Sequence, residues 1–428
     1  MTGRDLLSWG LHPRHPQVPH AVAWQGDIRT SLEEQVRLRG TSLAYGNGRS
    51  YGDSCLAATD HVIHTRRLDR IAQVDWQAGI VTAEAGTTLE EVLALAIPRG
   101  WFLPVTPGTK FVTLGGAVAN DVHGKNHHVR GTFGCHVRSL GLVRSDRDAV
   151  VCSPGSNRSL FEATIGGLGL TGIIAWVELQ LIPIAASTLR TVSIRFDSLA
   201  EFHDLSRQLD PVHEYSVAWI DCQAAGASSG RGIFLAANHA KEGPLTVSDR
   251  RNLSIPVTLP VTAMNRLTLR LFNAAYYHRH PARRRYSLVD YEPFFYPLDR
   301  ILHWNRIYGP AGFQQFQCVI PEATALAAVG QLLAAVSASG HGSFLAVLKR
   351  CGSVESPGLL SFPREGLSLA LDFSQKPSLE RSLFPRLDAI VRESGGRLYP
   401  AKDAHMTGED FRRFYPSGNA SRRCAIPV

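Results

Sequence analysis

Two glycine-rich stretches hold the residue types best suited to chemistry. Between Tyr45 and Asp53 lie Gly46, Asn47, Gly48, Arg49, Ser50, Tyr51 and Gly52. Glycines this closely spaced form a turn whose N–H groups can converge on an anion such as a diphosphate. The run fits neither GxGxxG nor a Walker A loop, which needs Gly-Lys-Ser/Thr, and alone it reads as a glycine-rich turn.

The second stretch runs from Pro104 to His128. Gly108 and Thr109 lie in its first part, and Gly115, Gly116, Ala117 and Ala119 lead straight into Asn120, Asp121, His123, Gly124, Lys125, Asn126, His127 and His128. Small residues let a flat ring system press on the backbone, and the polar cluster supplies the convergent groups of a ligand pocket. Three histidines raise metal chemistry, but Gly124 and the loop composition spoil an i, i+4 pair, so no metal is assigned.

A third stretch, Gly167-Leu-Gly-Leu-Thr-Gly172, spells GxGxxG. A dinucleotide fold needs a strand before that motif and a helix after it. Here 160–165 reads as helical and 172–182 as a strand, which excludes that fold. The glycines read as a tight loop lying against a cofactor.

The elements around these stretches read as α/β up to residue 185. Residues 79–85 alternate like a strand, Thr88 and Glu91 form a capping box for a helix over 89–97, and 101–105 reads as a strand. Beyond the strand closed by Pro183 the pattern changes. Ser198 with Glu201 opens a helix to about Leu209, and 322–339 is an Ala/Leu-rich helix. Strands are expected at 216–221, 315–320, 344–348 and 367–373, giving an α+β layer with helices on one face of a sheet.

The bulk numbers agree with two domains. The chain has 428 residues, 44% of them apolar, 19% charged and 8% aromatic. A net charge of +8 favours anionic partners, but no nucleic-acid recognition motif accompanies it. Seven cysteines, odd in number and without CxxC, argue against a disulfide framework or zinc site and for a reducing compartment. No stretch reaches the roughly 18–20 apolar residues of a membrane span. Residues 255–300 are apolar, then aromatic, then basic; such a helix or loop suits a membrane surface, or an exposed basic loop beside a core helix.

The strings GNGRSYGD (46–53), TPGTKFVTLGGAVANDVHGKNHH (106–128) and GLGLTGII (167–174) together resemble the FAD-linked oxidases of the vanillyl-alcohol oxidase type. Within them the chain is most similar to oxidases of polyprenyl-phosphoryl ribose. The similarity continues through YSVAWID (215–221), FFYPLD (294–299), WNRIYG (304–309), SFLAVLKR (343–350) and GGRLYPAKDAH (395–405).

That resemblance implies an α+β chain. It has a two-part FAD-binding domain of the PCMH type (1–185), a substrate or cap domain with an antiparallel sheet covered by helices (186–395), and a return to the FAD domain (396–428). It implies FAD held by Gly46, Asn47, Gly48, Arg49, Ser50, Tyr51, Gly108, Thr109, Gly115, Gly116, Ala119, Asn120, His123, Gly124, Asn126, Gly169, Gly172 and Ile174. Arg49 stands where relatives carry the histidine that links FAD covalently, so non-covalent FAD is expected. Lys402, Tyr51 and His123 are the candidates for handling the hydroxyl proton. Lys125, Tyr296, Gln315, Gln317, Lys349 and Lys402 match substrate-pocket positions; on composition alone Lys349 is equally a strand-end charge, and Gln315 and Gln317 sheet-edge polars.

The implied reaction oxidises the 2′-hydroxyl of a polyprenyl-phosphoryl-β-D-ribose to a keto sugar. An NADH-dependent short-chain reductase would finish an epimerisation to the arabinose form for cell-wall arabinan. Membrane contact through 255–300 and a cytoplasmic, peripheral location are expected. An aldonolactone or alditol oxidase, or an FAD-binding protein without turnover, are the alternatives. Two departures from the family pattern stand out. The tail after Tyr415 lacks the usual ending, which implies an altered or lost last element, and Ala370 stands where some relatives carry cysteine.

Overall fold

In the computed structural model, residues 6–248, 252–260, 262, 265–280 and 283–425 are described. Within 255–300, positions 261, 263, 264, 281 and 282 therefore lie outside the described residues, as do 1–5 and the last three residues of the tail.

The capping box forms as the sequence dictates. The Glu91 N–H donates to Thr88 Oγ1 at 3.3 Å, and Glu91 Oε2 accepts from the Thr88 N–H at 2.7 Å. It opens helix Leu89–Ala96, which buries Leu89, Val92, Leu93 and Ala96. That face packs on a five-stranded sheet in the order Ile71–Asp75, Ile80–Glu84, Ile173–Gln180, Val137–Val143, Val150–Cys152. Each fully buried aliphatic side chain of this kind contributes about 1.5–3 kcal/mol.

A smaller parallel sheet of Val18–Ala21, His61–His64 and Leu43–Tyr45 forms the other lobe of the first domain. Helix Gln25–Arg39 drives Ile28 and Leu32 into a core shared with Ile63, Val143 and Ile173, which joins the lobes. The GxGxxG lookalike sits between helix Arg158–Thr164 and strand Ile173–Gln180. At Gly172, φ is 139° and a Cβ would lie 2.6 Å from the Val143 carbonyl oxygen, so the position admits only glycine. The strand expected over 101–105 is shorter: only Trp101–Phe102 pairs, with Ile182–Pro183, before the chain turns into the loop at 104–113.

The second domain is built on one eight-stranded antiparallel sheet. Its order is Arg284–Asp290, Thr188–Phe196, Gly232–His239, Tyr215–Ile220, Ala346–Cys351, Gly366–Ser374, Phe313–Ile320, Arg397–Leu398. Side chains alternate across it. Phe316, Cys318 and Leu348 enter a core covered by helices Leu199–Leu209, Glu322–Ser339 and Phe384–Glu393, while Gln315, Gln317 and Lys349 face the other way, toward the first domain. Helix Glu322–Ser339 is long and apolar enough to cross a membrane by length and composition. In the fold it buries Val329, Leu332, Leu333 and Val336 against the sheet and belongs to the core.

Four strands of this sheet were not expected: Thr188–Phe196, Gly232–His239, Arg397–Leu398 and Arg284–Asp290. The last corrects the reading of 255–300 as a helix or loop. It pairs with Thr188–Phe196 alone and forms the sheet edge, where arginines are favoured because they discourage further pairing. The segment also contains helix Arg266–His278. The altered tail is not lost: helix Gly418–Cys424 packs on Arg158–Thr164, and the Cys424 carbonyl accepts from Arg144 Nη1 at 2.7 Å.

Candidate active site

A cavity of about 870 Å³ lies between the first domain and the bare face of the eight-stranded sheet. Its volume falls in the range of a small-molecule or cofactor site.

The first glycine loop follows strand Leu43–Tyr45. Asn47 Nδ2 anchors it by donating to the Phe111 carbonyl at 2.7 Å. Gly48 has φ 58°, and a Cβ there would come within 1.9 Å of Tyr45 Oη. Among the described residues, no protein acceptor meets the N–H groups of Asn47, Gly48, Arg49 or Ser50, although all four residues line the cavity. The Arg49 guanidinium stacks 4.3 Å from the Trp9 ring centroid, with its Nε buried and unpartnered.

The second stretch supplies the floor. Thr113 caps helix Leu114–Ala119, and Gly115, Gly116, Ala119 and Asn120 face the cavity with Gly108 and Thr109. A Cβ on Gly108 would meet nothing within 4 Å, so the space above it is cavity. Asn120 Oδ1 is buried without a partner. Gly169, Gly172 and Ile174 close the wall. A row of free N–H groups, an orphaned guanidinium nitrogen and a glycine floor match what a flavin diphosphate and its flat ring require.

The titratable groups gather where this floor meets the sheet. His123 Nε2 lies 3.1 Å from Gln317 Nε2, which also reaches Ser368 Oγ, and His123 Nδ1 has no partner. Burial, reinforced by Lys349, holds the His123 imidazole well below its usual range, hence neutral. Lys402 Nζ sits 3.4 Å from the Tyr51 ring centroid. Burial lowers Lys402, while the Asp372 carboxylate pulls it back up. Asp372 accepts from Gln315 Nε2 at 2.5 Å, and burial raises its carboxyl. Burial also pushes the Tyr51 phenol far above its usual value, so it stays protonated.

Lys125 and Lys349 complete the cluster. Lys125 Nζ donates to the Phe295 carbonyl and Lys349 Nζ to the Gly124 carbonyl, both at 3.0 Å. Burial brings Lys349 down to about 8; burial and the Lys349 charge bring Lys125 to about 7. Among the described residues, no carboxylate comes within 4.0 Å of Lys125, Lys349 or Lys402. The tertiary pairing also decides two open readings. Gln315 and Gln317 lie on an interior strand between Gly366–Ser374 and Arg397–Leu398, and Lys349 sits within strand Ala346–Cys351.

Two of the anticipated residues do not reach the wall. Tyr296 is buried behind it, with its hydroxyl 2.7 Å from Thr106 Oγ1. Asn126 points away to the Pro104 carbonyl at 2.8 Å and to Glu214. Both brace the loop that carries the cavity residues. His127 and His128 also turn elsewhere, the latter to the His213 carbonyl at 2.9 Å.

Two buried carboxyls went unread in the sequence, Asp299 on the wall and Asp372 behind it. Asp299 accepts from the Lys110 N–H at 2.7 Å, and burial lifts it to about 6. Asp372 had a signal, a charged residue inside the apolar run 367–373; what hid it was the opposing Gln315, visible only once the strands pair.

Residues 25–153 match the FAD binding domain family. The chain is 35% identical to decaprenylphosphoryl-β-D-ribose oxidase of Mycolicibacterium smegmatis, covering 97% of this chain and 92% of that protein. It is 29% identical to L-gulonolactone oxidase of Mus musculus over 50% of this chain and 49% of the relative. With human delta(24)-sterol reductase it shares 32% identity over 30% of this chain and 24% of the relative. FAD is thus the cofactor for which the glycine loops are built, and the activity is that of an FAD-dependent oxidoreductase acting on a CH–OH group. By extent and identity, the chain belongs to the decaprenylphosphoryl-β-D-ribose oxidase family.

Proposed function

We propose that this chain oxidises the 2′-hydroxyl of a polyprenyl-phosphoryl-β-D-ribose to the 2′-keto sugar. The observation that carries this reading is the pair of Lys125 and Lys349, with no carboxylate within 4.0 Å among the described residues, opening onto an apolar wall of Val217, Leu235, Phe344 and Val347. A lipid-linked sugar phosphate needs both. A soluble lactone needs neither, though the gulonolactone oxidase relatives keep that alternative as an outcome of the test.

When bound, FAD supplies the hydride acceptor. Loss of a hydride from the carbinol carbon and a proton from the hydroxyl leaves the ketone, with two electrons on the flavin. Asn47, Gly48, Arg49 and Ser50 would hold the diphosphate, and Gly108, Gly115 and Gly116 would lie under the ring. Lys402 in its neutral form takes the hydroxyl proton, since burial brings its ammonium closer to neutrality. His123 orients the sugar through Nδ1. The protonated Tyr51 packs Lys402 from below rather than acting as a base.

A ketone at this position becomes the arabinose epimer only by hydride addition from the opposite face, so an NADH-dependent short-chain reductase belongs to the same reading. So does residence on the reducing side of a membrane, contacted through 255–300; the free cysteines support that side. The test is anaerobic bleaching of the flavin. Polyprenyl-phosphoryl ribose should bleach it while free sugars and lactones do not. Bleaching by a lactone alone would overturn the substrate, and no bleaching by any sugar would favour a flavin carrier without turnover.

A further inference from the structure

The helix and edge strand within 255–300 present an apolar and basic surface at the rim of the cavity. Helix Arg266–His278 is held firmly from below. Asn265 caps it, Asn273 Nδ2 donates to Asp221 Oδ1 at 3.1 Å, and Leu269 and Tyr277 are buried. Its outer face nevertheless carries Leu267 at 66% exposure and Leu271 at 63%, spaced i, i+4. Strand Arg284–Asp290 leaves Tyr286 72% and Leu288 68% exposed. Water does not favour leucines displayed together on a rigid helix, so such a patch marks a contact surface.

The charge on this surface has one sign. Residues 265–289 contain six arginines (266, 270, 279, 283, 284, 285) and no aspartate or glutamate. Only Arg283 has a carboxylate partner, Glu201; among the described residues the other five have none. The surface is also continuous with the cavity, because Phe272, Tyr276, Arg279, Arg285 and Leu288 line it.

We infer that this face docks on the anionic surface of a phospholipid bilayer, its leucines entering at headgroup depth and its arginines meeting lipid phosphates. The cavity then opens into the membrane, and a lipid-linked substrate enters without leaving the bilayer. The complement of exposed apolar side chains and unpaired arginines fits an anionic lipid surface rather than a protein partner. This inference deepens the lipid-phosphate reading above and rests on it for the identity of the entering substrate.

Co-sedimentation of the FAD-loaded protein with vesicles tests it. The protein should pellet with phosphatidylglycerol-containing vesicles and not with phosphatidylcholine alone, and added salt should release it. Arg266→Glu/Arg270→Glu should weaken binding by at least about 25-fold, from about fivefold per arginine lost at an anionic surface. Leu267→Ser/Leu271→Ser should weaken it with less salt dependence. None of these four residues lines the cavity, so the flavin spectrum and bleaching by detergent-dispersed substrate should be unchanged. Wild-type protein remaining in the supernatant, or variants that bind as well as wild type, would overturn the docking surface. So would variants that abolish self-association instead of vesicle binding. Vesicle binding without bleaching by polyprenyl-phosphoryl ribose would sink the substrate reading and leave the docking surface standing; bleaching without vesicle binding would do the reverse.

Discussion

The Lys402 ammonium nitrogen lies 3.4 Å from the ring centroid of Tyr51, so the two ends of the chain meet at the reacting centre. The contact is fixed by backbone. The Tyr51 N–H donates to the Ala401 carbonyl at 3.1 Å, and the Asp53 N–H to the Asp403 carbonyl at 3.3 Å. At Gly52 a Cβ would sit 1.6 Å from the Asp403 carbonyl oxygen, so the loops can approach this closely only over glycine.

From this contact follows a pair of unequal substitutions. Lys402→Met should retain FAD but slow flavin reduction by about 10²–10⁴-fold, the range for loss of a general base. Tyr51→Phe keeps the ring and should change the rate little, because the phenol is never ionised at working pH. Stopped-flow bleaching separates them, and a large Tyr51→Phe defect would give the base role to the hydroxyl.

Asp372 attracts the charge on Lys402. Asp372→Asn removes that attraction, so the lysine should lose its proton at lower pH. The acidic limb of the reduction rate against pH should move downward. An unmoved limb would place the titration on another group.

The two remaining lysines give a pH dependence whose sign is fixed. With Lys125 near 7 and Lys349 near 8 in the fold, against an ordinary 10.5, the unfolded chain holds more protons across that window. Their contribution to stability therefore rises with pH from about 7 to 10.5. Affinity for a phosphate-bearing substrate should fall over the lower part of the same window, as the cations are lost. Lys349→Met should flatten both trends, measured by thermal melts and by substrate titration.

Arg49 cannot form the link that a histidine would, so acid should release the flavin into the supernatant. Gly48→Ala should abolish FAD retention, because Tyr45 Oη occupies the space its methyl group would need. Flavin pelleting with the denatured protein would overturn the first expectation.

His405 sits 3.2 Å from Asp388 and 2.9 Å from Asp403 in a nearly dry site. Burial opposes its charge, but hydrogen bonds to Asp388 and Asp403 outweigh it and raise the imidazole to about 10. Its stabilising effect is full below the ordinary histidine range and is lost as pH rises through about 10. His405→Gln leaves two buried carboxylates without a cation and should cost about 3–5 kcal/mol in denaturant melts.

Local features were legible in the sequence: the capping box at Thr88, the failure of the GxGxxG context, the floor of small residues and several of the strands. These rest on period, caps and backbone freedom, which act over a few residues. The sequence did not reveal the edge strand Arg284–Asp290, whose arginines break the apolar alternation, because an edge is defined by its missing neighbour. Nor could it show Asp372 facing Gln315, Tyr296 and Asn126 set behind the wall, or the tail helix resting on Arg158–Thr164. Those depend on which distant strands pair and which loops touch. Burial then shifts the lysines, and only the folded chain decides burial.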